Sequence, residues 1–217
     1  MCLDLVVESC AKPGHEAEWR RILKRAFAEQ ELSPAETARF NDISIPGDQR
    51  IGAPRVGFDK AAEAWITQAR QARTPEEVAG VLAEFHGYYV LRLAPCDGVP
   101  EYSNACCYDG TDETSFRGAF LKDCTDVLSK ALRNDAWNSK FPEDAIAYGQ
   151  ALLAAADAAE KAGPAPKPRS TLLSRIGVMR PSTAQPVPLA DQLAITRAAG
   201  RWFIFWGGRG HAIRAWF

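Results

Sequence analysis

Histidine is scarce in this chain, with only His15, His86 and His211. Each stands alone, and zinc sites draw on short pairs of cysteine or histidine. Cys96 and Cys106 enclose nine residues, and Cys107 and Cys124 enclose sixteen, so no knuckle or helical ligand pair forms. A calcium loop is absent too, because Asp109-Gly-Thr-Asp112-Glu113 lacks the alternating ligand order and the distal glutamate. No metal and no cofactor is expected.

Other absences exclude further classes. No window holds 18 consecutive apolar residues, so no membrane span is expected. The opening MCLDLVVESC carries Asp4 and no basic stretch, unlike a secretory signal, and a cytoplasmic location is expected. Gly207-Gly208-Arg209-Gly210 lacks the Lys-Ser/Thr that would make it a phosphate loop. There is no internal repeat. No alternation of strand and helix predicts a doubly wound nucleotide fold. No spacing attaches the chain to a catalytic family.

What is present is the composition of an ordinary globular protein: 217 residues, 47% hydrophobic and 24% charged. Six cysteines in a chain of this size read as reduced, buried hydrophobes rather than a disulfide framework. The net charge of −1 hides an asymmetry. Residues 1–160 hold seventeen basic and twenty-six acidic residues, a net of −9. Residues 161–217 hold nine basic residues and the single acid Asp191, a net of +8. The basic tail either lies across the acidic body or serves an outside partner.

Periodicity and caps predict the elements. Residues 3–9 read as a strand broken by Pro13-Gly14. A helix over 15–30 places Trp19, Ile22, Leu23, Ala26 and Phe27 on one face. Ser33-Pro34 with Glu36 is a capping box, and its short helix runs to about Asn41. Residues 42–57 read as a loop or a pair of short extended pieces. Helix resumes at Asp59, and Thr74-Pro75-Glu76-Glu77 opens the next one, which Gly87 stops. YYVLRLA, 88–94, reads as a strand. A long helix is predicted from Thr114 or Ser115 to Arg133, and another over 142–162 ended by Gly163. In the last block Leu189, Leu193, Thr196, Gly200, Phe203 and Trp206 suit a helix face, although RWFIFW also suits a buried strand.

Together these predict a mainly helical α+β fold, with six or seven helices and two or three short strands in a single compact domain. The chain divides into an acidic core over 1–162, a Pro-rich basic linker over 163–188 and an aromatic, basic segment over 189–217. That last segment is expected to pack on the core.

Two places could carry function. The first is the loop around 101–120. Asp97, Glu101, Asp109, Asp112 and Glu113 crowd it, with Tyr102 and Asn104 beside them. Turn formation, helix capping and the helix dipole explain those acids structurally. Functionally they form an acidic binding face. Alternatively His86, Cys106, Asp109 and Arg117, with Tyr88, Ser103 and Ser115, line a polar pocket. There Cys106 or Cys107 is a conceivable nucleophile with His86 or His211 as base. Arg117 would pair with Glu113 at i,i+4 of the predicted helix. The second place is the C-terminal set of Trp202, Trp206, Arg209 and His211. Tryptophan and arginine are enriched in binding hot spots, while the plain alternative makes the tryptophans core. The Gly207–Gly210 turn would return His211 toward the aromatics.

The leading expectation is a binding protein that meets another protein through its acidic face, for example an immunity or antitoxin-like inhibitor. The alternative is an enzyme or small-molecule-binding protein with the polar pocket. No membrane partner is expected, and nucleic acid is the least favoured partner.

Overall fold

Two long helices, joined glycine to glycine, form the spine of the molecule. The computed structural model describes residues 3–51, 60–85, 114–163 and 187–217. Pro142 at the first helical position opens α8, Pro142–Ala162, and Gly163 ends it at φ 73°. The other long helix, α9, spans Leu189–Gly207, so RWFIFW is helical. The two run antiparallel. A Cβ on Gly149 would sit 2.6 Å from the Gly200 carbonyl oxygen, and one on Gly200 would sit 2.9 Å from that of Gly149. A side chain at either position would force the backbones apart.

That close approach buries Tyr148, Leu152 and Ala156 of α8 against Trp202, Phe203 and Trp206 of α9. Rings meet edge to face, with Tyr148 and Phe203 centroids 4.9 Å apart and Trp202 and Phe203 5.2 Å apart. On the outer surface Arg197 of α9 reaches Asp157 at 3.0 Å and Glu160 at 2.7 Å on α8. So at this point a basic residue of the C-terminal block does lie on acids of the body.

A three-stranded antiparallel sheet packs beside the pair, in the order β4-β1-β5. Its centre is β1, Asp4–Val7, flanked by β4, Ser115–Arg117, and β5, Ile213–Trp216. Leu5 faces Phe116 on one side and Ala215 on the other. A second ribbon pairs β2, Cys10–Ala11, with β3, Ser44–Ile45. Helix α1, Glu16–Phe27, buries Trp19, Ile22 and Leu23 beneath that ribbon, with Ile43 and Ala212. Helix α2, Pro34–Asp42, starts with the reciprocal Ser33–Glu36 capping box. The extended reading of 42–57 misses one short helix, α3, Gly47–Ile51.

A smaller unit pairs α4, Lys60–Ala69, with α5, Pro75–Phe85. Glu77 N–H donates to Thr74 Oγ1 at 3.1 Å, and Thr74 N–H returns a bond to Glu77 at 3.0 Å. Ala62 and Ile66 form its centre, with Trp65, Val81 and Leu82.

The long helix predicted over 114–133 is corrected. The segment is β4, then α6, Ala119–Asp123, then α7, Lys130–Asp135. Gly118 lies so close to Leu3 that a Cβ there would come within 2.4 Å of it. The strand therefore turns at the glycine. Ser129 restarts the helix by accepting from Leu132 N–H at 3.2 Å. Cys124, Val127 and Leu128 keep the core positions that periodicity assigned them. Arg117 consequently stands on a strand opposite Asp4 rather than on a helix, and its expected partner Glu113 lies outside the described residues.

Buried Gln192 ties α9 to the 124–129 turn. It donates to Asp126 at 2.9 Å and Val187 O at 2.7 Å, and accepts from Asp126 N–H at 2.9 Å. The described part is a mainly helical α+β fold with short strands in two small sheets. Among the described residues no helix is long and apolar enough to cross a membrane.

Candidate functional site

Among the described residues the end of β5 supplies the most exposed aromatic surface. Strand alternation turns Ile213 into the core and leaves Arg214 half-buried. The outer edge of β5 is already occupied. Ile213 exchanges backbone bonds with Lys140 at 2.7 and 2.8 Å, and Ala215 N–H donates to Ser139 Oγ at 3.1 Å. Past that cover Trp216 keeps its register with Asp4 of β1, but its ring and that of Phe217 are left largely uncovered. Trp216 and Phe217 are 61% and 58% exposed, the exposed large hydrophobics among the described residues.

These rings flank a groove of about 620 Å³ between α1 and the 137–139 segment. Phe217 lies edge-on to Trp137 at 5.3 Å. The Arg214 guanidinium sits 5.8 Å from the Trp216 ring and 6.0 Å from that of Phe27. Glu8 answers its charge at 2.6 Å. Burial holds the Glu8 carboxyl above its ordinary range, against the pull of Arg214. Glu29, Asn138 and Ser139 supply further polar rim.

The residues selected from the sequence fall into three groups. Trp202 and Trp206 are fully buried, so their ring faces serve the core and none is offered at the surface. The turn after α9 does return His211 to the aromatics: His211 N–H donates to Trp206 O at 3.1 Å, and the rings meet edge to face at 5.0 Å. His211 is wholly buried, with Nδ1–H donating to Glu8 O at 2.7 Å. Among the described residues its Nε2 has no partner. Desolvation lowers its pKa to about 4, assisted by nearby Arg50 and Arg209, so the ring is neutral at pH 7. Arg209 stacks over the Phe205 ring at 3.4 Å and donates to Phe205 O at 3.1 Å.

Arg117 and Ser115 lie on β4 at the far side of the sheet from β5. His86, Tyr88, Asp97, Glu101, Tyr102, Ser103, Asn104, Cys106, Cys107, Asp109, Asp112 and Glu113 lie outside the described residues. Among the described residues Cys10 and Cys124 are free, buried thiols, and desolvation raises the pKa of both. A buried thiol with a raised pKa is a poor nucleophile.

A third feature carried no signal in the sequence. The Lys140 side chain is 4% exposed and sits against a cleft beside α8. Its ammonium donates to Asn138 O at 3.0 Å and to Asp135 O, lies 3.4 Å from the Asp135 carboxylate and stands 4.4 Å over the Tyr148 ring. Desolvation lowers its pKa while Asp135 opposes that shift. Nothing around it is left for a substrate to satisfy, so it closes the 135–140 turn. Sequence reading also missed Trp137, Phe27 and Phe217, because no local spacing joins residues so far apart.

Comparison with protein-family models, with curated proteins and with solved structures finds no match to this chain.

Proposed function

We propose that this chain is a cytoplasmic binding protein that engages a partner protein bearing exposed arginine or lysine. An immunity or antitoxin-type inhibitor of a basic protein is its concrete form. The observation that carries the reading is the exposure of Trp216 and Phe217 around one groove. Leaving two such rings in water forgoes about 1.5–3 kcal/mol each relative to burial, which a partner would recover. Tryptophan and arginine are the residues that dominate binding hot spots. Aromatic faces attract guanidinium and ammonium groups. The net of −9 over residues 1–160 would steer a basic partner, and Asp97, Glu101, Asp109, Asp112 and Glu113 belong to that charge.

An arginine-rich peptide, titrated calorimetrically, tests the reading. The parent chain should bind it at low salt and at least tenfold more weakly at about 0.5 M salt, where the Debye length falls toward a few ångströms. Replacing Trp216→Ser together with Phe217→Ser should abolish the heat. Absence of binding at low salt, or equal binding by the double variant, would defeat the proposal.

A further inference from the structure

A second cleft, of about 460 Å³, opens where α1, α3, the start of α8 and the turn after α9 meet. It shares no lining residue with the aromatic groove. Arg20, Arg50 and Arg209 all line it, and they come from three different elements. Its single carboxylate is Glu16, which is engaged with Gly14 N–H at 3.1 Å. Trp19, Cys10 and Pro142 give the wall an apolar side.

The three arginines differ in how their charge is met. Arg20 bonds to Glu143 and lies 4.1 Å over the Phe141 ring. Among the described residues Arg50 reaches the Arg209 carbonyl oxygen, at 3.5 Å. Arg209 has its own Phe205 carbonyl. Among the described residues, neither Arg50 nor Arg209 makes an ion pair with a carboxylate. By contrast Arg20, Arg25, Arg39, Arg197 and Arg214 each find a carboxylate. Both unmatched charges act on the same buried imidazole, His211, and Arg50 also acts on the Cys10 thiol. Two like charges have thus been brought to one concavity, and among the described residues no carboxylate, Glu16 included, pairs with either.

We infer that this cleft is a binding site for a small molecule carrying a phosphate or carboxylate group, held between Arg50 and Arg209 with Arg20 at the rim. Guanidinium forks match the paired oxygens of such groups. The volume lies within the range of small-ligand sites, and the Trp19–Pro142 side would take the apolar body of the ligand. Binding needs no new charge on the protein, because His211 remains neutral behind the wall.

The test is calorimetric titration of the full chain with inorganic phosphate and, separately, with succinate, at constant ionic strength. At least one anion should bind and raise the melting temperature in a concentration-dependent way. Whichever binds names the group. Arg50→Gln and Arg209→Gln should each weaken binding about tenfold or more, as loss of a charge-assisted hydrogen bond implies. Arg50→Lys should fall between, and Lys161→Gln, on the exposed end of α8, should change nothing. Circular dichroism confirms that each variant is folded. Failure of both anions to bind, or binding unaffected by both Gln variants, would overturn the assignment.

Discussion

Lys140 and His211 flank the same β-bridge, between Lys140 and Ile213, and meet burial in opposite ways. The lysine is charged, and every direction around its ammonium is answered by a carbonyl, a carboxylate or a ring face. The histidine is neutral, and among the described residues only one of its nitrogens is answered. Burying an ion costs far more than burying a neutral dipole, so the ion has to be matched in full. A neutral imidazole can leave one nitrogen idle at a cost of about 1–3 kcal/mol. The region around Lys140 is therefore closed, and the region around His211 keeps unspent polar capacity next to two arginines.

Removing the floor beneath His211 should break that comparison most strongly. Trp206→Ala deletes a fully buried indole that the imidazole meets at 5.0 Å. A loss of about 3–5 kcal/mol is expected in denaturant unfolding, from lost burial plus the cavity. Acid should come next. The folded pKa of His211, about 4, lies below its ordinary 6.5, so the unfolded chain binds the proton first. Stability is then full above pH 6.5 and falls as pH drops from 6.5 toward 4, by up to about 3 kcal/mol. Glu8, held above its ordinary range, titrates in the opposite sense. The difference between parent and His211→Phe isolates the histidine, and the variant should show a flatter profile over that window. An unchanged slope in His211→Phe would sink this account. Lys140→Met should have the smallest effect, about 2 kcal/mol, because losing bonds to two carbonyls is partly offset by relief of desolvation. It should retain the parent's slope between pH 4 and 6.5, which separates the two sites.

Local grammar was readable where a short motif decides the outcome. Ser33 to Glu36, Thr74 to Glu77, Pro142 and Gly163 all mark helix ends in the structure. The 114–133 segment was misread because apolar spacing at Phe116, Phe120 and Cys124 suits a helix, while Gly118 breaks it only through its contact with Leu3, over a hundred residues away. The same limit hid the groove. Phe27, Trp137 and Phe217 are brought together by the sheet and by α1, and no window of sequence contains them. Trp202 and Trp206 illustrate the converse, since composition marks them as notable but only packing shows that they face inward. The return of His211 was legible, because Gly207–Gly210 is a turn whatever surrounds it.

The order of the sheet sets a timetable for synthesis. β1 sits in the middle, yet its neighbour β5 is made about 200 residues later. At ordinary translation rates of about 5–20 residues per second, the central strand waits roughly 10–40 s for that edge to be closed. Until then one side of β1 presents unpaired backbone groups, an invitation to mispairing that a nascent chain has to survive. Completion of the sheet thus waits on the synthesis of Ile213–Trp216, and ribosome-bound intermediates stalled before Ile213 should be the forms most dependent on chaperones.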